Sequence, residues 1–531
     1  MNWHGFVVNG LKFPSNQKRG YFLALVLLLT STFAVLADPA VPGSSDEVKQ
    51  LVKQAIKLTR DGSLADSEVL LRRAVALDST RSEAKVELAV VLTKTRRIVE
   101  AYDLAFPIAQ AEPKNSRAFA VLGTTLLAAG RFREARLVFY NAIKIRRQED
   151  LAWASLGMLD FYENNINESL ANLQEAVYQD PNEPDYLFAF AQVCARAEHY
   201  KDAADAYRQF LTVSSINDKD RRDRIRGLIN FLEILGNSGS LYLAAGKPQT
   251  TVPFSLVGNR PVITLYLNGK PEPLKFVLDT GSGISVISET TAKRLNIKPM
   301  TRGGYAKGIG GNGKFEIVYG MVKQVAIGDV SLKNVPVYLR KFHDESQALD
   351  GYIGLALISK FLTTIDYGAQ TFALSKRDDD KRDFIEKGDL SLPLRLTSSG
   401  FLSGEVQLMG MDIPLNFIVD TGASVSVISS RVAKADGISQ HVSEEKLRVV
   451  GSAGVTDDVS TFQLPGITFG NHSRKDILAI ALDLDMINEA SGFEQSGILG
   501  GNFLKNYRMT FDFKNSKVTF VSVKPDKDQP Q

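Results

Sequence analysis

The tripeptide Asp-Thr-Gly occurs twice in the chain, as Asp279-Thr280-Gly281 and as Asp420-Thr421-Gly422. Each copy lies between two runs rich in Val, Ile and Leu, which predict short buried strands joined by a tight turn. Two such turns could place two carboxylates side by side. Because like charges about 3 Å apart cannot both ionise, one carboxylate of such a pair would act as a base and the other as an acid. The sequence therefore predicts acid–base chemistry at a paired-aspartate site.

A second motif also occurs twice, each time later in the chain than one Asp-Thr-Gly copy. It consists of two apolar residues and a glycine, as Tyr352-Ile353-Gly354 and as Ile498-Leu499-Gly500. The two Asp-Thr-Gly copies are 141 residues apart and the two later glycines are 146 apart, so one unit is repeated in order. On these motifs, the region from about residue 249 to 522 resembles a two-lobed aspartic protease of the retropepsin/pepsin type.

The resemblance implies an aspartic-type endopeptidase, which hydrolyses a polypeptide substrate with a water activated by Asp279 and Asp420 and needs no cofactor. It also implies that Thr280 and Thr421 hydrogen-bond across the seam between the lobes and hold both loops rigid. The other supporting positions that it implies are Gly281, Ser282, Gly422 and Ala423, with both glycines lining the floor of the site.

The residue three positions after each acid differs between the lobes. Ser282 has a hydroxyl able to donate a hydrogen bond to Asp279, whereas Ala423 has none to offer Asp420. A hydrogen bond donated to a carboxylate favours its charged form. The difference therefore predicts that Asp279 is the ionised member of the pair and that Asp420 is protonated.

A glycine-rich stretch lies between the two motifs of each lobe and could form a flap over the substrate. The flap candidates are Gly308, Ile309, Gly310 and Gly311 in lobe 1 and Gly451 and Gly454 in lobe 2. A mobile hairpin that excludes water and an ordinary glycine hairpin both fit this composition. The run from Gly308 to Gly313 also fits the pattern G-x-G-x-x-G, but strand-like residues follow it where a nucleotide-binding loop needs a helix.

Residues 45–240 show a helical pattern that repeats every 34 residues. Small residues recur at fixed positions of the unit, for example Gly123, Ala135, Ala142, Gly157, Ser169 and Ala176. Such residues let the two helices of a hairpin approach closely. The segment resembles a tetratricopeptide-repeat array of about five repeats with a capping helix. The resemblance implies a concave groove that recruits substrate or binds a protein partner, and the alternative is a spacer or a dimerisation surface.

The N-terminal segment predicts export. Basic residues precede the apolar run of residues 21–37, and the small residues near Ala37 suit cleavage after it, so residues 1–37 form a secretory signal peptide by this interpretation. The alternative is an uncleaved signal anchor, because about 17 apolar residues are at the lower limit for a membrane span. The protein is then periplasmic or secreted, or it is anchored in a membrane by this segment alone and faces outside the cytoplasm.

Composition argues against several other classes of function. A net charge of +3 on 531 residues gives no indication of nucleic-acid binding. The single cysteine, Cys194, excludes an internal disulfide framework and a multi-cysteine metal site. The five histidines are scattered without a zinc motif, so no metal site is predicted.

The sequence thus predicts a multidomain fold in which an all-α tetratricopeptide solenoid precedes two all-β acid-protease-like lobes. The predicted boundaries are residues 1–37 for the signal segment, 45–240 for the array, 249–378 and 388–522 for the lobes, and 523–531 for a polar tail. Two alternatives to a single-chain enzyme stay open, namely lobes that are active only as intermolecular dimers and an interaction scaffold whose lobes bind peptide without cutting it. Intact Asp-Thr-Gly in both lobes argues against the scaffold, because loss of the acid would mark a degenerate lobe.

Overall fold

The computed structural model describes residues 45–216, 219–311, 313–343, 348–376 and 390–523. The expected signal segment, residues 1–37, lies outside these ranges, and so do residues 524–531 of the polar tail and the predicted lobe boundaries at residues 378 and 388. Within the described ranges, no helix is long and apolar enough to cross a membrane.

The N-terminal part of the described chain is a solenoid of helical hairpins, which confirms the predicted fold class. The first helices of the second to fifth hairpins begin at Ser82, Ser116, Asp150 and Pro184, so the successive starts from Ser82 onward are 34 residues apart. The helices are α1 (Ser45–Arg60), α2 (Leu64–Leu77), α3 (Ser82–Lys94), α4 (Ile98–Ala111), α5 (Ser116–Ala128), α6 (Phe132–Ile145), α7 (Asp150–Tyr162), α8 (Ile166–Gln179), α9 (Pro184–Arg196), α10 (Tyr200–Val213) and the additional helix α11 (Lys219–Asn237).

The small residues of the repeat lie where the two helices of a hairpin touch. Gly123 in α5 faces the ring of Phe139 in α6, and a Cβ on this glycine would lie 2.6 Å from the ring carbon Cδ1. Gly157 in α7 faces Leu173 in α8, and a Cβ there would lie 2.7 Å from Cγ of the leucine. Larger residues at these positions would force the helices of the hairpin apart.

Each lobe is built from strands and a few short helices. Lobe 1 contains β1 (Leu243–Gly246), β2 (Gln249–Val257), β3 (Arg260–Leu267), β4 (Leu274–Leu278), β5 (Val286–Ser288), α12 (Glu289–Arg294), β6 (Pro299–Lys307), β7 (Lys314–Ile327), β8 (Val330–Arg340), β9 (Gly351–Ile353), α13 (Leu355–Ile358), β10 (Leu362–Asp366) and β11 (Thr371–Ser375). Lobe 2 contains β12 (Leu390–Pro393), β13 (Arg395–Leu396), β14 (Leu402–Leu408), β15 (Leu415–Val419), β16 (Ser426–Ser429), α14 (Ser430–Ala433), α15 (Asp436–Ser439), β17 (Val442–Gly451), β18 (Gly454–Leu464), β19 (Ile467–Phe469), β20 (His472–Arg474), β21 (Ile477–Leu482), α16 (Asp485–Ser491), β22 (Gly497–Leu499), α17 (Gly501–Leu504), β23 (Tyr507–Asp512) and β24 (Lys517–Ser522).

The strand before each Asp-Thr-Gly loop lies inside its sheet and has the same neighbours in both lobes. In lobe 1 the strand order is β3-β4-β9-β5-β8, and in lobe 2 it is β14-β15-β22-β16-β21. The central pairs, β4 with β9 and β15 with β22, are parallel. The repeated sequence unit therefore folds twice into one arrangement, with the acid at the carboxyl end of a buried strand in each copy.

The two lobes are joined by a shared antiparallel sheet. Among the described strands its order is β12-β24-β23-β10-β11-β2, and β10 of lobe 1 pairs directly with β23 of lobe 2. This register places Thr364 opposite Thr510, with their hydroxyl oxygens 3.0 Å apart. In this structure the lobes thus pair within one chain.

The array packs against both lobes. Helix α11 contacts lobe 1, where the rings of Phe231 and Tyr319 stack with centroids 4.0 Å apart. In lobe 2, Phe493 is fully buried against the array and packs on Phe132 and Tyr162, with ring centroids 4.9 and 5.1 Å away. The sequence does not reveal this docking, because an apolar residue at an interface has the same character as one in a core.

Candidate active site

The strand pairing fixes the position of each acid. The backbone N–H of Asp279 donates to the carbonyl of Ile353 at 3.0 Å, and the N–H of Asp420 donates to the carbonyl of Leu499 at 3.0 Å. Gly354 and Gly500, which follow Ile353 and Leu499, let another segment of the chain approach closely. A Cβ on Gly354 would lie 2.7 Å from the carbonyl carbon of Ile284. The later glycine motif therefore packs against the end of the strand that carries the acid and stabilises it.

Two serines that the sequence motifs do not single out accept hydrogen bonds from the same glycines. The N–H of Gly354 donates to the hydroxyl of Ser285 at 3.1 Å, and the N–H of Gly500 donates to the hydroxyl of Ser426 at 3.1 Å. Both serines are buried, and each lies six residues after its acid. That shared offset is the signal that could have identified them.

The two Asp-Thr-Gly loops are tied together by four hydrogen bonds across the seam. The hydroxyl of Thr280 donates to the carbonyl of Val419 at 2.6 Å and accepts from the N–H of Thr421 at 3.0 Å. The hydroxyl of Thr421 donates to the carbonyl of Leu278 at 2.6 Å and accepts from the N–H of Thr280 at 3.1 Å. Both threonines are fully buried, so these bonds act in a dry environment where breaking them leaves polar groups unsatisfied. The structure therefore brings Thr280 and Thr421 together as the resemblance implies.

The glycines of the two loops lie directly against the opposite acid. A Cβ on Gly281 would lie 2.5 Å from Oδ2 of Asp420, and a Cβ on Gly422 would lie 2.6 Å from Oδ1 of Asp279. The backbone N–H of Gly281 donates to Asp279 at 3.0 Å, and that of Gly422 donates to Asp420 at 2.7 Å. A side chain at either position would push the carboxyl groups apart.

The carboxyl groups of Asp279 and Asp420 share a hydrogen bond. Burial raises the pKa of Asp279 well above its usual value of 3.8, and the neighbouring Asp420 raises it further. Burial also raises the pKa of Asp420, but hydrogen bonds from the N–H of Gly422 and from Asp279 oppose this rise. The two carboxyl groups therefore titrate as a pair, which keeps one proton to a pH above the usual pKa of either acid.

The hydrogen bond expected from Ser282 to Asp279 does not form in this structure. The Ser282 hydroxyl donates instead to the backbone carbonyl of Ile284 at 2.8 Å. The donors to Asp420 include the backbone N–H of Ala423, which favours the charged form of that acid. A backbone donor of this kind is invisible in a comparison of side chains.

The two glycine-rich hairpins meet at their tips. They are the β6–β7 hairpin of lobe 1 and the β17–β18 hairpin of lobe 2. The N–H of Gly311 donates to the carbonyl of Val455 at 3.2 Å, and the N–H of Ala453 donates to the carbonyl of Ile309 at 2.8 Å. All of the predicted flap residues lie at these tips, namely Gly308, Ile309, Gly310, Gly311, Gly451 and Gly454.

Glycine is needed at these tips for two reasons. Gly310 has a φ of +88° and Gly454 has a φ of +147°, a backbone region that other residues rarely adopt. The tips also pack backbone to backbone, since a Cβ on Gly454 would lie 2.8 Å from Cα of Gly311. The glycine-rich composition that predicts a flap thus allows the close contact between the two flap tips.

Arg340, at the end of β8, was not predicted and links the flaps to the site. Its guanidinium lies 4.0 Å from the centre of the Phe315 ring in the lobe 1 hairpin and donates to the carbonyl of Ser452 in the lobe 2 hairpin. Burial lowers its pKa, while the nearby Tyr352 and Asp279 raise it. A lone arginine at a strand end carries no motif, so nothing in the sequence distinguishes it.

Asp279 and Asp420, which together form the dyad, line one cavity of about 2760 Å³ with both flap tips and Arg340. Its lining near the acids includes apolar side chains from both lobes, among them Phe315, Phe401, Ile418, Ile480 and Ile498. The arrangement provides one proton donor, one proton acceptor and an apolar surface around them. Across the described residues, no group of three or more His, Cys, Asp or Glu side chains could hold a metal ion.

Comparison with known families bears on both lobes. A family model described as aspartyl protease matches residues 263–357 and 405–503. These stretches contain both Asp-Thr-Gly loops and both later glycines. The two lobes carry aspartyl protease family domains. The matched residues together make up less than half of the chain, and the array lies outside them.

No curated protein matches the chain. Among solved structures, a thermophilic TPR protein of Thermus thermophilus is similar at 17% identity, with a TM-score of 0.30, over 34% of this chain and 98% of that one. PilF of Pseudomonas aeruginosa is similar at 16% identity, with a TM-score of 0.27, over 36% of this chain and 88% of that one.

Substitution of Thr280 tests the bonds across the seam. Thr280→Val keeps the shape of the side chain but leaves the N–H of Thr421 and the carbonyl of Val419 without this partner, at a cost of about 1–3 kcal/mol for each group. We expect faster amide hydrogen exchange in peptides that contain residues 278–281 and 419–422. Thr280→Ser retains the hydroxyl and is the control. Equal protection in both variants would show that the crossed bonds do not stabilise the loops.

The raised pKa of Asp279 predicts a pH-dependent effect on stability. The unfolded chain loses this proton near pH 4, whereas the folded chain keeps it up to the raised pKa, so stability falls as pH rises between the two values. Asp279→Asn removes this loss. The margin in unfolding free energy between Asp279→Asn and the wild type should therefore grow as pH rises above about 4, by up to about 1.4 kcal/mol per pH unit.

Calorimetry at several pH values measures this margin. The control is Asp412→Asn, which removes an exposed carboxyl group of lobe 2 and should change stability little at any pH. A margin for Asp279→Asn that stays constant or shrinks as pH rises would contradict a protonated Asp279.

Proposed function

We propose that the chain is an exported aspartic endopeptidase that cuts polypeptides at the seam between its two lobes. The observation that carries the proposal is the hydrogen-bonded pair of Asp279 and Asp420 on the floor of a large cavity. The family match supports a peptidase. The crossed threonine bonds and the glycines of both loops favour catalysis over a peptide-binding scaffold, because binding alone does not require two acids in contact.

We propose that Asp279 holds the proton of the pair and that Asp420 is the ionised member, because donors to Asp420 oppose the rise of its pKa. Ionised Asp420 takes a proton from a water molecule, whose oxygen attacks the carbonyl carbon of the scissile peptide bond, while Asp279 gives its proton to the carbonyl oxygen. The tetrahedral intermediate then collapses. Its C–N bond breaks, and the amide nitrogen leaves with the proton that Asp420 took from the water. A hydroxyl of the intermediate returns a proton to Asp279 as it becomes the carbonyl of the new carboxylic acid, so the pair again holds one proton. The reaction consumes one water molecule and no cofactor.

The surroundings of the dyad suit an extended substrate. The flap tips can close over a bound peptide and exclude water. The apolar side chains of both lobes would accept apolar substrate residues on either side of the scissile bond. We further propose that the repeat array recruits the substrate or a protein partner.

The lobe pairing favours a single-chain enzyme over an intermolecular dimer. The shared sheet and the crossed threonine bonds already satisfy, within one chain, the contacts that a second chain would otherwise supply. Activity per molecule should therefore stay constant on dilution.

Export rests on the N-terminal sequence alone. A basic segment precedes an apolar run that ends at Ala37. Amino-terminal sequencing of the protein from its native cells should find Asp38 first. A first residue upstream of the apolar run would indicate an anchor instead.

Activity should depend on both acids and on pH in a defined way. Digestion of an unstructured protein should slow at least about a hundredfold in either Asp279→Asn or Asp420→Asn, because an amide can act neither as the base nor as the acid and one of the two roles is lost. Activity should rise with pH as Asp420 ionises, above its usual value of 3.8, and fall again as Asp279 loses its proton at higher pH.

The assay compares the wild type with both variants from about pH 3 to pH 8, with and without pepstatin, and Asp412→Asn serves as a control. Wild-type turnover in either dyad variant would reject a two-aspartate mechanism. An inactive wild type that nevertheless binds peptide would favour the scaffold.

A further inference from the structure

The cavity at the dyad does not end at the lobes. It continues without interruption along one face of the repeat array, so the acids and the array line the same space of about 2760 Å³. The array contributes a row of side chains, here called a stripe, from the first helix of each hairpin. The stripes include Arg60 of α1, Lys94 of α3, Thr124 of α5, Met158 of α7 and Gln192 of α9.

One end of the cleft is joined directly to the array. Arg196, the last residue of α9, donates to the carbonyls of Thr397 at 2.9 Å and of Ser398 at 3.3 Å, in the turn between β13 and β14. Its guanidinium also lies 3.7 Å from the centre of the Phe161 ring. The next residues of this turn reach the Asp279 loop, since a Cβ on Gly283 would lie 2.6 Å from the carbonyl oxygen of Ser399.

The opposite end of the cleft has different neighbours. By the 141-residue offset, Asn259 in the turn between β2 and β3 corresponds to Gly400, and Ser424 corresponds to Gly283. The side chain of Asn259 donates to the carbonyl of Ser424 at 3.2 Å, and its backbone packs against Gly501 of lobe 2. The end of the cleft at Gly283 and Ser399 thus contacts the array, whereas the equivalent end at Ser424 and Asn259 contacts lobe 2.

The face of the array in this cavity combines apolar and polar groups. Leu151, Met158 and Gln192 are partly accessible there, and the hydroxyls of Thr124 and Ser155 lie 2.9 Å apart. Some charged groups on the same face are paired, as Lys94 is with Asp185 at 2.6 Å and Arg117 is with Glu87 at 2.9 Å. Such a lining suits a polypeptide of mixed sequence better than a strongly charged ligand.

We infer that the array extends the substrate site on one side of the scissile bond. The substrate is an unfolded polypeptide whose flank leaves the dyad at the Gly283 and Ser399 end and lies along the stripes of the first helices. This rests on the proposed function, because it assigns the array to the same substrate that the dyad cuts. An extended chain advances about 3.3 Å per residue, so a flank of about 20 residues is long enough to run from the cleft along the array.

The inference predicts an asymmetry that a symmetric cleft would lack. Contacts with the array are available to the residues on one side of the cut only. Lengthening a short cleavable peptide on that side should raise kcat/KM at least about tenfold, whereas lengthening it on the other side should change it less than about twofold.

The experiment uses the full chain and three fluorogenic peptides that share one cleavable core. The first is the core of about eight residues, and the others carry about 20 additional unstructured residues on the amino or the carboxyl side. The readout is the ratio of kcat/KM for each extended peptide to that for the core. A ratio that rises for one flank only supports the inference, and equal ratios for both flanks overturn it.

Two variants test whether the array causes the gain. Gln192→Trp fills the groove, and Met158→Asp places a charge in it, and each should bring the ratio for the favoured flank close to one. Leu137→Asp adds the same charge at an exposed position of α6 outside the cavity and should leave the ratio as in the wild type. A gain that survives both groove variants would overturn the inference.

A binding measurement separates this inference from the proposed function. Fluorescence anisotropy of the labelled peptides with Asp420→Asn reports affinity without cleavage. Tighter binding of one extended peptide, lost in the double variant Gln192→Trp with Asp420→Asn, supports the inference even if the wild type cuts no peptide. Equal affinity for the core and both extended peptides overturns it even if the wild type is an active peptidase.

Discussion

The four hydrogen bonds between Thr280 and Thr421 and the strands across the seam are the constraint on which the site depends. They join the end of a buried strand in one lobe to the equivalent end in the other. Each acid is the residue just before its threonine, so the position of one carboxyl group is set by the backbone of the opposite lobe. The glycines that follow then allow the acids to lie side by side, where burial raises both pKa values.

Duplication made the core of this architecture predictable from the sequence. The 34-residue period located the helix starts at Ser82, Ser116 and Asp150, and the 141-residue offset located both acids. Periodic signals are strong because each copy repeats the same packing requirement. The catalytic roles of the acids stay a prediction, although the structure brings their carboxyl groups together.

Features that depend on one contact between distant segments could not be predicted in the same way. The sequence suggests a hydrogen bond from the Ser282 hydroxyl to Asp279, whereas the hydroxyl donates to the carbonyl of Ile284. Arg340 reaches a hairpin 112 residues away, and Phe493 is buried against helices more than 300 residues earlier in the chain. Each of these residues has ordinary neighbours in sequence, and its role arises only from the fold.

The pairing of β10 with β23 has a consequence for how such a site can be controlled. Two halves on one chain meet at an effective concentration set by the intervening segment, and this concentration is independent of how much protein is present. Assembly therefore cannot serve as a switch, as it can when two separate copies must associate. The two halves are also free to differ, because a change in one is not copied into the other. Control of the site then falls to whatever governs entry into the cavity.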